Sequence, residues 1–314
     1  MALPAAVMLA VCLAAAAAHA QAGSAASAYP LEAVDGLGGR GALREAPRRS
    51  ASLTLMTDEI LVDLVGPGRL AAVTPMADDP GISNVAGRVG PGPRRLALNV
   101  ERLLALAPDL VLLASWSDAD SVRQLRDAGI AVYRIAAPRS VDAIKGTIAE
   151  VARLVGAQQQ ALELIRGMDE TLARVRSRVE RLPPGQRLRV LDYDPSGTSF
   201  GRGSSWDDIV RRAGCLNAVA ELPADAWGNV ALSQEKLISL DPDIVVLPGW
   251  KWDDPQGARR AHERFARDPA FRSLRAVRSG RLLLADERHR LATSHHIAKA
   301  VEDLAAFAYP ELFR

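Results

Sequence analysis

Apolar positions along this chain fall into two alternating patterns. Short continuous apolar runs occur near residues 53–55, 70–73, 110–113, 130–135, 188–193, 243–247 and 281–285. The stretches between them carry apolar residues three and four positions apart, the spacing of a helix with one buried face. A continuous run is typical of a parallel strand that helices cover on both faces. The alternation therefore predicts an α/β fold with parallel sheets.

Polar residues and glycines mark the expected ends of the helices. Thr57 is expected to cap the first helix, and Gly66 follows the end of that helix. Further helices are predicted at 119–128, 204–213, 233–240, 256–266 and 293–308. Each of them follows or precedes a predicted strand, as in repeated strand–helix units.

The longest helical pattern covers residues 140–181 and is interrupted at Gly156. Its part from 158 onwards would be a helix of about 35 Å at 1.5 Å per residue. Pro183-Pro184-Gly185 then stops it. We therefore expect two Rossmann-like lobes with central parallel sheets, joined by a single long backbone helix. The expected divisions are an N-terminal lobe at 51–157, a linking helix at 158–182 and a C-terminal lobe at 183–314.

One segment occurs twice in the sequence. Residues 99–116 and 233–250 are identical at eight of eighteen positions. Each copy predicts a short helix with an outward Glu, a Pro that ends the helix, and a buried strand. Trp116 and Trp250 then lie just past the carboxyl ends of strands, where open α/β sheets bind ligands. One copy in each lobe predicts a protein that presents the same surface helix twice.

The N-terminal residues have the pattern of a targeting signal. Residues 1–20 are almost entirely apolar and end in Ala18-His19-Ala20, the pattern of a signal-peptidase site. Lipidation at Cys12 is the alternative, although the bulky Val11 before it disfavours that site. Residues 21–50 are expected to be irregular. Gly36 to Gly41 match G-x-G-x-x-G but precede the first strand, which excludes a dinucleotide site. An exported protein is therefore expected.

Composition and motifs exclude several classes of function. The net charge of +2, without a basic stripe, argues against nucleic-acid binding. Cys215 would be the only cysteine of the mature chain, so no intramolecular disulfide is expected. The sequence contains no G-x-S-x-G, H-E-x-x-H, Walker A or C-x-x-C motif, so an enzyme is not expected. A monomer is expected.

Together these motifs resemble a known family, the periplasmic substrate-binding proteins of iron-siderophore, haem and cobalamin ABC importers. The segments 99–113 and 233–247 are similar to its E-x-L-x-x-L-x-P-D signature, once per lobe. The segment 201–218 is similar to its G-x-G-S…A-G-x-x-N-A pattern, and the likeness extends over nearly all of residues 35–314. The resemblance implies two lobes joined by one helix. It also implies that Glu101 and Glu235 contact the inner-membrane permease, which works with its ATPase.

The resemblance also suggests residues for the ligand cleft. Trp227 matches a cleft tryptophan of the cobalamin-binding members, and Trp116, Trp250 and Trp252 are further aromatic walls suited to flat macrocycles or catecholates. Met76 stands where cobalamin binders carry Tyr. Arginines in loops near the expected cleft could pair with the oxygens of a ferric siderophore: Arg88, Arg94, Arg95, Arg202, Arg288 and Arg290. Arg95 also stands where cobalamin binders carry Trp.

The expected function is capture of a metal chelate in the interlobe cleft and its delivery to an ABC permease. A ferric siderophore ranks first, with cobalamin or haem next. No separate cofactor is expected, because the metal arrives inside the chelate. The alternatives are a periplasmic metal-ion receptor or chaperone, or a hydrolase, on the same scaffold.

Three histidines bear on the metal alternative. His289, His295 and His296 could ligate haem iron or a bare metal. A cap at Thr293 or Ser294 would put His295 and His296 in a first helical turn, one of them exposed. A receptor for free Zn²⁺ or Mn²⁺ needs histidines and a carboxylate from both lobes, and the first lobe contains no histidine. No residue is therefore assigned as a metal ligand.

Overall fold

The computed structural model describes residues 29–183, 185–251, 254 and 256–314. Within this part of the chain, two α/β lobes follow one another. The expected signal peptide at 1–20, with Cys12, and the expected cleft residue Trp252 lie outside the described residues. The described part has no helix with the length and apolar character needed to cross a membrane.

The first lobe contains a hairpin and a parallel sheet. The antiparallel hairpin consists of β1 (Leu31–Val34) and β2 (Arg40–Leu43). The sheet consists of β3 (Ser50–Ser52), β4 (Leu70–Val73), β5 (Arg94–Arg95), β6 (Leu110–Ala114) and β7 (Ala131–Ile135), in the order β5-β4-β3-β6-β7. Its helices are α1 (Leu55–Val65), α2 (Val100–Leu106), α3 (Ala119–Asp127) and α4 (Val141–Val155).

A single long helix, α5 (Gln158–Val179), connects the lobes, as predicted. Gly156 ends α4 in the left-handed conformation, with φ 70° and ψ 38°, so the predicted interruption is real. The 22 residues of α5 span about 33 Å at 1.5 Å per residue. Its buried side chains include Met168 and Val175, which belong to a core shared with both lobes.

The second lobe repeats the architecture of the first. Its strands are β8 (Arg189–Asp192), β9 (Thr198–Phe200), β10 (Leu216–Asn217), β11 (Asn229–Ala231), β12 (Ile244–Leu247) and β13 (Leu282–Leu284). Four of them form a parallel sheet in the order β10-β8-β12-β13, and β9 pairs antiparallel with β11. Its helices are α6 (Ser205–Arg212), α7 (Gln234–Leu240), α8 (Gly257–Arg267), α9 (Arg275–Arg278), α10 (Glu287–Arg290) and α11 (Ile297–Ala308).

Burial on both sheet faces explains the continuous apolar runs. Leu110 and Leu112 of β6 join the core that includes α5, whereas Val111 and Leu113 join a separate cluster on the opposite face. Successive side chains of a strand point to opposite faces. A strand between two layers of helices therefore needs apolar residues at every position.

The segment before β3 differs from its prediction. An irregular segment was expected, but residues 31–43 form a hairpin whose turn begins at Asp35. The Oδ1 atom of Asp35 accepts hydrogen bonds from the backbone N–H groups of Leu37 and Gly39, at 3.0 and 2.7 Å. Its Oδ2 atom accepts from Arg126 and Arg134. The hairpin depends on these distant arginines, which local sequence patterns do not reveal.

The first helix also begins earlier than predicted. Thr54, not Thr57, is its N-cap, and the Thr54 side chain accepts from the backbone N–H of Thr57 at 3.1 Å. Thr57 lies inside the helix, and its hydroxyl meets the hydroxyl of Ser52 at 2.6 Å. Both threonines can cap a helix, and tertiary contact with Ser52 selects the first. The preceding strand accordingly covers 50–52 and not 53–55.

Candidate functional site

The two copies of the repeated segment adopt the same local structure. Asn99 and Ser233 cap α2 and α7, each accepting a hydrogen bond from the backbone N–H three residues on. Each helix is followed by a left-handed residue, Ala107 with φ 45° and Asp241 with φ 39°. A proline comes next in both copies, and it disfavours the helical conformation in the residue before it.

An arginine and an aspartate anchor each copy to its sheet. Asp109 accepts from the backbone N–H of Arg49, and Asp243 accepts from that of Arg189. Both arginines also donate to the carbonyl of the last residue of the helix, at 2.9 and 2.6 Å. Sequence reasoning missed this matched pair of arginines, although each stands at or directly before the first strand, in chain order, of the parallel sheet of its lobe.

Glu101 and Glu235 lie in the first turns of α2 and α7, and both side chains are exposed. Two residues further on, Leu103 and Leu237 are completely buried. Each helix is therefore held by a leucine while its glutamate faces solvent, as the sequence predicted. The lobes present two equivalent carboxylates.

Trp116 and Trp227, one from each lobe, contact each other where the lobes meet. Trp116 follows β6 in the first lobe, and Trp227 lies in the turn before β11 in the second. Their ring centroids are 6.1 Å apart with the planes at 90°, an edge-to-face contact. The side chains remain 65% and 60% exposed. Both rings thus occupy the predicted position and keep apolar surface open to solvent.

Arg139 joins the lobes beside this aromatic pair. It precedes α4 in the first lobe, and its guanidinium donates to the carbonyls of Gly203 and Ala226 in the second, at 2.9 and 3.0 Å. Sequence reasoning did not single out this residue. Its place in the loop after β7, at the carboxyl edge of the sheet, is the signal that could have indicated it.

Trp250 joins the lobes at another point. Its indole N–H donates to Asp79 of the first lobe at 3.0 Å. Its ring covers Gly81, where a Cβ atom would lie 2.2 Å from the Trp250 Cδ1 atom, so only glycine fits. The sequence predicted a cleft wall at Trp250. In the structure this side chain is partly buried and forms a contact between the lobes.

Met76 lies at the edge of the first lobe that faces the cleft. It belongs to a 3₁₀ turn, Pro75–Asp78, that directly follows β4, and its side chain is partly exposed. Arg95 lies beside this turn, on β5. Its guanidinium donates to both carboxylate oxygens of Asp78, at 2.6 and 2.7 Å, and to the carbonyls of Gly90 and Pro93. The hydrogen bonds from Arg95 lower the pKa of Asp78.

Five of the six arginines predicted near the cleft pair with a carboxylate. Besides Arg95, they are Arg88 with Asp63, Arg202 with Glu221, Arg288 with Asp286, and Arg290 with Asp192 and Glu287. Arg94 is exposed. Each pairing places a negative charge beside a positive charge that was expected to face an anionic ligand.

The pairing of Arg290 is buried and lies at the carboxyl edge of the second sheet. Its guanidinium is 2.8 Å from Asp192, the last residue of β8, and 2.8 Å from Glu287. Burial raises the pKa of Asp192 to about 6, although Arg290 opposes the shift. Glu287 also accepts from the backbone N–H of Gly249 at 2.8 Å. This ionic group fixes the chain just before Trp250.

A polar seam joins the lobes between α1 and the start of α11. Glu59 of α1 accepts from the hydroxyl of Ser294 and from the side chain and backbone of Asn84. The Asn84 side chain also donates to the carbonyl of Arg288 at 2.6 Å. Burial raises the pKa of Glu59. We call these four residues the interlobe seam.

The histidines do not lie where the sequence predicted. His295 and His296 precede α11 and are not part of its first turn, and neither side chain is exposed. They approach Asp63 of the first lobe. The argument against a metal set drawn from both lobes therefore fails, because the first lobe supplies the carboxylate. His289 lies apart from this group and pairs with Asp303.

Two α/β lobes on a single linking helix, with exposed aromatic rings from both lobes meeting between them, define a cleft-type ligand-binding protein. The chain belongs to the periplasmic binding protein family, whose model matches residues 51–289. Members of that family bind and carry ligands, so the protein is a binding protein and not an enzyme.

Several known proteins are similar to this chain. An uncharacterized ABC transporter substrate-binding lipoprotein, YvrC of Bacillus subtilis, is 25% identical over 278 residues, which cover 87% of this chain and 83% of the relative. The vitamin B12-binding protein of Yersinia pseudotuberculosis is 26% identical over 212 residues, or 65% of this chain and 71% of that protein. Among solved structures, the molybdate periplasmic binding protein MolA of Haemophilus influenzae aligns with a TM-score of 0.74 at 19% identity, covering 90% of this chain and 92% of MolA. That likeness supports the two-lobed fold.

Proposed function

We propose that this protein captures a corrinoid, a flat and largely uncharged metal chelate, between its lobes and delivers it to an ABC permease in the inner membrane. The observation that carries the proposal is the pair of exposed tryptophans, Trp116 and Trp227, facing each other from opposite lobes. Exposed apolar rings in a cleft are a surface that a ligand can cover.

The charges around the cleft favour an uncharged ligand. Haem carries carboxylates and ferric catecholates carry negative charge, so both need free cations beside the aromatic surface. Five of the six arginines expected for that purpose already have a carboxylate partner. A corrin ring bears neutral amides at its rim and needs no such cations. We therefore propose a corrinoid ahead of the ferric siderophore that the sequence favoured.

The relatives support the same choice. The similar proteins include vitamin B12-binding and cobalamin-binding proteins. The chain departs from cobalamin binders at Met76 and Arg95. Met76 is a flexible apolar side chain that adapts to the edge of a flat ring. Arg95 is held by Asp78, so it adds little free charge to that edge.

Delivery requires a surface that the permease recognises. Glu101 and Glu235 are exposed and structurally equivalent, one on each lobe. Two matched carboxylates fix the orientation of a docked partner through their charge, and such contacts weaken as salt increases. We propose that these two residues bind cationic side chains of the permease. Export to the periplasm through the signal at 1–20 belongs to the same proposal.

The test is a binding titration with chelates that differ in charge and shape. Isothermal titration calorimetry of the purified mature chain would use hydroxocobalamin, haemin, the anionic ferric enterobactin, and ferrichrome, which is neutral but not flat. We expect hydroxocobalamin to bind most tightly. Tighter binding of ferric enterobactin or haemin would refute the charge argument, and tighter binding of ferrichrome would refute the flat-ligand argument.

Protein purified from its own periplasm offers an independent readout. Native mass spectrometry of that material should show a bound mass equal to that of a cobalt corrinoid. A bound mass that matches an iron chelate would overturn the corrinoid assignment while leaving the chelate-carrier function in place.

A further inference from the structure

Outside the aromatic cleft, three metal-binding side chains from both lobes meet beside the interlobe seam. Asp63 lies on α1 of the first lobe, and His295 and His296 directly precede α11 of the second. The Oδ2 atom of Asp63 is 3.0 Å from the Nε2 atom of His295 and 3.8 Å from that of His296. One ligand atom from each side chain lies within 4.8 Å of the others.

In the described part of the chain, three of the four ring nitrogens of these two histidines lack a hydrogen bond, and the fourth, the Nε2 atom of His295, pairs with Asp63. Among the described residues, neither ring nitrogen of His296 nor the Nδ1 atom of His295 has a hydrogen-bond partner. His296 is only 9% exposed. The two rings lie against each other, with centroids 3.9 Å apart and planes tilted by 41°. Buried polar atoms without partners are unfavourable and need an explanation.

We propose that Asp63, His295 and His296 bind one divalent transition-metal cation, of which Zn²⁺ is the representative, and that this cation ties the two lobes together. Tetrahedral Zn²⁺ with bonds of about 2.0–2.1 Å holds its ligand atoms about 3.4 Å apart. The two distances from the Asp63 oxygen, 3.0 and 3.8 Å, lie on either side of that value. Three protein ligands leave one position for water.

The donor set determines which metals fit. Two imidazoles and one carboxylate suit Zn²⁺ and its transition-metal neighbours, whereas Mg²⁺ and Ca²⁺ require mainly oxygen ligands. The Oδ2 atom of Asp63 faces both histidines.

Two positive charges lie near this group. Arg88 binds the Oδ1 atom of Asp63 and holds the carboxylate in place, as groups around metal ligands commonly do. Lys299 lies three residues after His296, in the first turn of α11. Both oppose a bound cation, so we expect moderate affinity. The site is separate from the chelate cleft and its existence does not depend on the corrinoid proposal.

The experiment uses untagged mature protein treated with EDTA and then freed of it. Isothermal titration calorimetry with ZnCl₂ should show one ion per chain. Titration with Co²⁺ should give the visible absorption bands of tetrahedral cobalt, and Zn²⁺ should abolish them. The substitutions Asp63→Asn, His295→Ala and His296→Ala should each weaken Zn²⁺ binding at least about tenfold.

His262→Ala is the matched control, because His262 contacts the carbonyl of Leu282 and lies outside the three-residue group. This variant should keep the wild-type Zn²⁺ affinity, and so should Trp227→Ala, which alters only the cleft. Absence of one-to-one binding, or wild-type affinity in all three ligand variants, would overturn the proposal. So would an equal loss in the His262→Ala variant.

A measurement on the wild-type protein covers the case in which a ligand variant fails to fold. In long-range ¹H–¹⁵N spectra of the imidazoles, Zn²⁺ should shift the signals of His295 and His296 and leave that of His262 in place. Zn²⁺ should also raise the melting temperature, because a ligand that binds only the folded state stabilises it. Shifts confined to the other histidines would refute the site.

Discussion

Removal of the Trp227 ring is the sharpest test of the cleft. A tryptophan can bury about 150–250 Å², and Trp227 leaves 60% of its surface exposed. About 90–150 Å² is therefore open to a ligand, and a flat chelate covers roughly half of it, one face of the ring. At about 25 cal/mol per Å², the loss in Trp227→Ala is about 1–2 kcal/mol. The dissociation constant for hydroxocobalamin should rise about 5- to 30-fold.

The control removes similar exposed apolar surface far from the cleft. Leu162 lies on α5 and is 61% exposed, so Leu162→Ala should leave the dissociation constant unchanged. Calorimetry measures both variants, and ligand binding should quench tryptophan fluorescence less in Trp227→Ala than in the wild type. An unchanged affinity in Trp227→Ala, or an equal loss in Leu162→Ala, would refute the reasoning.

Three further predictions concern docking, the contact between the lobes and the effect of pH. Reversing both docking charges with Glu101→Arg and Glu235→Arg should abolish cobalamin uptake by cells but preserve the affinity for cobalamin measured by calorimetry. The control variant Glu163→Arg, on α5, should support normal uptake. Wild-type uptake by the double variant would exclude the docking role. Gly81→Ala places a Cβ atom 2.2 Å from the Trp250 ring and should lower the free energy of unfolding by about 1–3 kcal/mol. The control variant Gly92→Ala, which has open space around the new Cβ atom, should leave that free energy unchanged. Equal urea unfolding midpoints for the two variants would contradict this prediction. Burial raises the pKa of Asp58 from 3.8 to about 7, so the folded state binds the proton of this carboxyl more tightly than the unfolded state does. The contribution of Asp58 to stability therefore falls as pH rises from about 4 to 7. Relative to wild type, Asp58→Asn should gain up to about 4 kcal/mol over that interval in urea unfolding, and a pH-independent difference would show that Asp58 is not the group responsible.

The order of the elements follows from local patterns in the sequence. The runs at 70–73 and 110–113 became β4 and β6 because a strand covered on both faces must be apolar at every position. The stop at Gly156 also came from the sequence, because glycine adopts the left-handed conformation that ends a helix. The repeat indicated that Glu101 and Glu235 are equivalent and exposed. The end of the apolar run at 110–113 indicated that Trp116 lies just past the carboxyl end of a strand.

The contacts between the lobes were decided by the tertiary structure alone. The placement of the lobes on α5 brings Trp250 to Asp79, Arg139 to the carbonyl of Gly203, and the histidines to Asp63. No local pattern encodes which distant residue a side chain will meet. The hairpin before β3 was missed for the same reason, since Asp35 is held by Arg126 and Arg134.

The charge of the cleft shows most clearly which properties the sequence determines and which the tertiary structure decides. The sequence supplied the number of arginines and their positions in loops, which suggested an anionic ligand. Whether an arginine is available to a ligand depends on which carboxylate lies within about 3 Å of it, and Arg95 and Arg290 are bound by Asp78 and Asp192. Coulomb interactions act through space and not along the chain. The residues present were therefore determined by the sequence, and the charge left free for a ligand was determined by the fold.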